Sequence, residues 1–140
     1  VVSMVAVVGG LAVTLQGQFM GIMDQNLGTK ESVFITYGSG GLAAILLFLL
    51  LPGNNLRNWS ALPWYVFSSG LFGLIIVGSI GYVLPRMGLA RGFTLMIAVQ
   101  FILAALIDHY GFFGAALRPL ELTRISGLII MLFGVWLVMR

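Results

Sequence analysis

The 140-residue chain contains no cysteine and one histidine. The first absence excludes disulfides and thiolate metal sites, and the second excludes a histidine-based metal cluster. Charge is scarce too: seven Lys/Arg and four Asp/Glu make up 8% of the residues. Soluble domains carry about 25% charged residues, and a domain this small has too much surface to cover with so few. Apolar residues take their place, at 60% of the chain with a mean hydropathy of +1.09. That composition excludes disorder, which needs low hydrophobicity and high charge. An integral membrane protein remains. The net charge of +3 comes from cations scattered singly, with no run that would grip nucleic acid. The first residues have no positive n-region, so the opening apolar stretch does not read as a cleaved signal peptide. The chain does not begin with Met, so a short preceding piece is expected.

Catalytic signals are missing as well. There is no nucleophile motif and no metal-ligand spacing, and Gly38-Ser39-Gly40-Gly41 lies inside an apolar stretch rather than in a phosphate-binding loop. The reading is a non-enzyme without metal or cofactor.

A spanning helix needs about 20 mostly apolar residues. Five stretches qualify, at about 3–23, 32–51, 63–84, 90–110 and 124–139. They are separated by a polar turn from Asp24 to Glu31, by Pro52-Gly53-Asn54-Asn55, by Pro85-Arg86-Met87-Gly88 and by a loop from Gly111 to Thr123. Residues 1–140 therefore form a single transmembrane domain. Segments such as 42–50 are continuously apolar rather than alternating, so the spans are helices and not strands of a barrel. Trp59, Trp64, Tyr65, Tyr82, Tyr110, Phe112, Phe113 and Trp136 fall near span ends, as interfacial anchors do.

With five spans the termini lie on opposite sides. One side then holds Arg57, Arg118 and Arg124; the other holds Lys30, Arg86, Arg91 and Arg140. Three cations against four set no orientation. The expectation is dual topology, with copies inserted both ways and paired as an antiparallel homodimer. A charged segment before Val1 would break the tie.

Polar groups within spans need a partner or a cavity. Gln16 and Gln18 point about 200° apart on their helix, so they cannot face the same cavity. Gln16 shares a stripe with Gly9, Met20 and Met23, and Gln18 with Gly21 and Gln25. One stripe lines a pathway and the other packs on a neighbour; periodicity does not decide which. Gln16 and Gln100 are the candidate substrate contacts, with Tyr37 and Ser39 secondary. Thr94, Phe101, Ala105 and Asp108 share one broad face of the fourth span, with Gln100 at its margin, and Asp108 is the one weak candidate for ion or proton coupling. Its alternative is a helix-end residue paired with an arginine such as Arg118. Gly17 with Gly21, and Gly127 with Gly134, suit close helix or dimer packing.

Gln16, Tyr37-Gly38-Ser39-Gly40-Gly41, Ile97-Ala98-Val99-Gln100-Phe101-Ile102, Ile107-Asp108-His109-Tyr110-Gly111, Pro119-Leu120 and the segment from Gly127 to Val138 carry a family likeness. Through them the chain resembles the short YdcZ-like branch of the drug/metabolite transporter superfamily. The resemblance implies five-helix bacterial inner-membrane proteins, each similar to half of a ten-helix transporter, found as homodimers, paired genes or fused duplications. The last helix is also similar to the dimerising helix of small multidrug resistance proteins, which carry a membrane-embedded glutamate in their first helix. Gln16 is the deepest polar residue of the first span here and cannot ionise, which argues against proton-coupled drug efflux.

The combined reading is an all-α, multi-pass protein of the bacterial inner membrane. It acts as an antiparallel homodimer and transports a small neutral, zwitterionic or aromatic-cage-bound organic molecule by alternating access. The alternatives are a dual-topology channel and a non-transporting accessory subunit. Expected partners are a small-molecule substrate, the lipid bilayer and a second copy, and no nucleic acid.

Overall fold

The computed structural model describes residues 1–52 and 60–140. Arg57 and Trp59, used above for charge and anchoring, and the Gly53-Asn54-Asn55 part of the turn lie outside the described residues. Five helices follow one another: α1 (Val2–Leu27), α2 (Thr29–Leu50), α3 (Ser69–Met87), α4 (Leu89–Tyr110) and α5 (Leu122–Met139). A 3-10 turn over Trp64–Ser68 leads into α3 and follows Pro63, whose φ of −59° suits the start of a helical run. Among the described residues there is no strand. All five helices are long and apolar enough to cross a membrane.

The helices outrun the apolar stretches that mark them. α1 has 26 residues, about 39 Å at the α-helical rise, against a hydrocarbon core of about 30 Å. Its backbone stays hydrogen-bonded through Asp24, Gln25 and Asn26, because a helix satisfies its own peptide groups in lipid and in headgroups alike. The polar turn from Asp24 to Glu31 thus reduces to one non-helical residue, Gly28, at φ 105° and ψ 163°. The third break shrinks in the same way. Pro85 sits inside α3, which continues to Met87, and Gly88 alone (φ 85°, ψ 153°) separates it from α4. Positive φ is cheap only for glycine, so each joint falls on the glycine and not on the polar or proline residues beside it.

The chain forms two units, Val1–Arg86 and Met87–Arg140. In the first, buried side chains gather at one end of the helices: Met20 and Asp24 of α1, Ser32 of α2, and Ile80 and Leu84 of α3. Small residues let the backbones approach there. A Cβ on Gly21 would meet the Pro85 ring at 3.8 Å, and one on Gly81 would lie 3.2 Å from Met20 Cε. The Ser32 hydroxyl donates to the Met20 carbonyl at 3.2 Å. Towards the other end, Gly9, Gly10, Gly38, Gly40, Gly41 and Gly70 have open space where a Cβ would be. Among the described residues, the close packing of this unit is at the Gly28 end. In the second unit, α4 and α5 pack together, with Ala98 buried. Elsewhere large apolar side chains such as Leu49, Leu50, Ile129 and Ile130 face outward, as a lipid-facing surface requires.

Candidate functional site

A groove of about 320 Å³ lies between α1 and α2 in the first unit. Gln16, Met20 and Met23 line it from α1, and Ile35, Thr36 and Ser39 from α2. The two stripes of α1 have different neighbours. The Gln16 stripe faces the groove, while Gly21, on the Gln18 stripe, packs against Pro85 of α3.

The polar groups of the groove are unequally free. The Ser39 hydroxyl donates back to the helix, to the carbonyls of Ile35 (2.9 Å) and Thr36 (3.2 Å), so only its acceptor capacity remains. The Thr36 hydroxyl is buried and has no hydrogen-bond partner among the described residues. Gln16 is exposed on the groove wall, with both ends of its carboxamide available. Tyr37 does not join them. Its hydroxyl reaches α3 instead, where a Cβ on Gly73 would lie only 2.5 Å from it.

Of the remaining site residues read from the sequence, Gln100 is exposed on α4 in the second unit. Gly17 is buried and Gly21 packs within the first unit, whereas a Cβ on Gly127 or Gly134 would meet nothing within 4 Å. Asp108 is half-buried in a second groove, of about 490 Å³, between α4 and α5. Arg124 shares its rim. Arg118 meets Asp108 through its backbone, its N–H donating to the Asp108 carbonyl at 2.8 Å, and among the described residues no ion pair joins their side chains. Next to it, the Leu120 N–H donates to His109 Nδ1 at 3.1 Å. These two bonds tie the segment after α4 back to the end of that helix.

Three features go beyond the site residues read from the sequence. Asp24 belongs to a polar turn by sequence, yet it is buried; its carboxylate accepts hydrogen bonds from Arg86 Nη1 at 2.9 Å and from the Thr29 hydroxyl. Arg86 also caps the Tyr82 carbonyl at 2.7 Å and lies 3.8 Å above the Tyr82 ring. Thr36 gives no signal in the sequence, because a helical threonine ordinarily bonds back to its own helix. Arg124 enters the sequence argument through its charge alone, although its place four residues before Leu128 and seven before Met131 puts all three on one face.

Five membrane-length apolar helices, with polar groups lining grooves between them, define a multi-pass α-helical membrane protein. A family model described as "Putative inner membrane exporter, YdcZ" matches residues 1–137, and the chain belongs to that family. No curated protein and no solved structure matches it.

Proposed function

We propose that this chain is a carrier that moves a small organic solute across the bacterial inner membrane by alternating access. One transmembrane domain of five spans pairs with a second copy of opposite orientation. The observation that carries the reading is the α1–α2 groove, where Gln16 stands about midway along a 26-residue membrane helix with no hydrogen bond to its carboxamide among the described residues. A polar group at that depth is costly unless it serves a ligand or a partner. Membership of an exporter family supports the ligand.

The groove also narrows the solute. Gln16, Thr36 and Ser39 offer hydrogen bonds but no charge, so a neutral or zwitterionic molecule suits them better than a free ion. Two copies related by a two-fold axis in the membrane plane would bring Gln16 and Gln100 of each near the midplane, the arrangement that inverted repeats produce within one chain. Gly134, with no neighbour of its own, is the natural notch for the partner's last helix.

Orientation tests the assembly. The chain has no cysteine, so a single one placed after Arg140 is a clean probe for an impermeant thiol reagent. Labelling of about half the protein in intact cells, and of the rest after permeabilisation, is the expected result. Labelling from one side only would overturn the antiparallel homodimer. For the site, Gln100→Ala should weaken solute binding while the dimer survives; unchanged affinity in an intact dimer removes Gln100 from it.

A further inference from the structure

The carrier reading makes no use of the second groove, between α4 and α5. Two matched stripes form it, running in opposite directions. Phe101, Ala105 and Asp108 lie along α4, and Arg124, Gly127 and Met131 along α5. The charged residues coincide at one end and the apolar ones at the other. Seven residues separate Asp108 from Phe101, and seven separate Arg124 from Met131, about 10 Å on each helix. The volume of about 490 Å³ is within the usual range for a small-molecule site.

The charged end is unusual. Asp108 and Arg124 share the rim, yet no ion pair joins them, and neither side chain has a hydrogen-bond partner among the described residues. An acid and a base that line the same groove without pairing complement a ligand that carries both charges. The rim lies where α4 ends and α5 begins, at the end of two spans and therefore at headgroup level. The wall below it descends into hydrocarbon, and at Gly127 there is open space for a chain to lie in.

We propose that this groove binds a phospholipid whose headgroup carries a primary ammonium beside its phosphate. The Arg124 guanidinium donates to phosphate oxygens, for which its planar fork is suited. The Asp108 carboxylate accepts from the ammonium N–H groups, which a quaternary ammonium lacks. One acyl chain lies along Ala105, Gly127 and Met131. A helix of a second copy would fill the wall but leave both charges at the rim unanswered, and a soluble zwitterion would answer the charges but leave the wall bare. The proposal rests on the membrane-spanning fold and stands or falls separately from the carrier reading.

The test is native mass spectrometry of the full chain in mixed micelles with phosphatidylethanolamine, phosphatidylcholine and phosphatidylglycerol of identical acyl chains. The ethanolamine lipid should be retained about tenfold more strongly than either of the others, the worth of one charge-assisted hydrogen bond. Asp108→Asn should erase its advantage over phosphatidylglycerol. Arg124→Gln should weaken all three lipids, and so should Gly127→Leu, with Ala105→Leu as an independent block. Equal retention of the three lipids by the unaltered chain overturns the proposal whether or not the variants fold. Displacement of the lipid by equimolar O-phosphoethanolamine overturns it in favour of a soluble zwitterion. Loss of a dimer peak in Gly127→Leu, with no lipid preference in the parent, overturns it in favour of a second copy.

Discussion

Arg86 Nη1 lies 2.9 Å from Asp24 Oδ2 and joins the ends of α1 and α3 across 62 residues of chain. The partners are unequal. The Asp24 side chain is 4% exposed, whereas that of Arg86 is 48% exposed and lies over Tyr82. Removing the arginine strands a buried carboxylate; removing the carboxylate leaves an arginine that still reaches water and the Tyr82 carbonyl. Arg86→Gln should therefore destabilise the protein more than Asp24→Asn, by about 2 kcal/mol, below the usual cost of breaking a fully buried pair because Arg86 is half-exposed. The double substitution should cost less than the sum of the two singles. Thermal melting in detergent measures all three. Equal losses from the two single substitutions would contradict the asymmetry.

Gly73 and Tyr37 make a second testable contact. A methyl group on Gly73 would lie 2.5 Å from the Tyr37 hydroxyl oxygen but 3.8 Å from the ring carbon that bears it. The conflict is with one oxygen. Gly73→Ala should destabilise by about 1 kcal/mol, as overpacking outweighs the gain in helix propensity. In a Tyr37→Phe background the same change should become neutral or stabilising. If the phenylalanine background leaves the penalty intact, the Tyr37 hydroxyl is not what limits the approach of α2 and α3 at this point.

The five spans are legible in the sequence because bilayer thickness imposes a length that composition alone reveals. Their ends are not. Asp24 to Leu27 and Pro85 to Met87 remain helical because backbone hydrogen bonding continues after the apolar residues stop. Of the face that helical periodicity assigns to Thr94, Phe101, Ala105 and Asp108, the last three line one groove and Thr94 does not. The choice between the Gln16 and Gln18 stripes is not visible, since it depends on where Pro85 packs, and that is tertiary information. Nothing local links Asp24 to Arg86, and no pattern marks Thr36 as a threonine whose hydroxyl stays unbonded.

Gly28 carries two separable constraints. Its φ of 105° with ψ of 163° belongs to a region that residues with a side chain rarely enter, and a Cβ there would also lie 2.9 Å from Glu31 Oε2. The carboxylate can swing away; the backbone cannot. Gly28→Ala should cost about 1–3 kcal/mol. Adding Glu31→Ala should recover only a minor part of the lost melting temperature. Full recovery would mean that the side-chain clash, rather than backbone strain, fixes glycine at the α1–α2 joint.

The balance of cations makes orientation sensitive to small additions. Lys30, Arg86, Arg91 and Arg140 fall on one side by span count, and Arg57, Arg118 and Arg124 on the other, so a single unit of charge separates them. The sorting rule counts Lys and Arg near span ends and gives little weight to acids, so the Asp24–Arg86 pair does not remove Arg86 from the count. Two lysines appended after Arg140 would raise the difference from one to three and should hold that end in the cytoplasm in most copies. Labelling of a C-terminal cysteine from outside intact cells should then fall from about half to a small fraction. If two copies must oppose each other, the same change should also abolish transport, and co-expression with a copy biased the other way, by lysines added beside Arg57, should restore it. Full activity from a uniformly oriented population would show that the working assembly is not antiparallel.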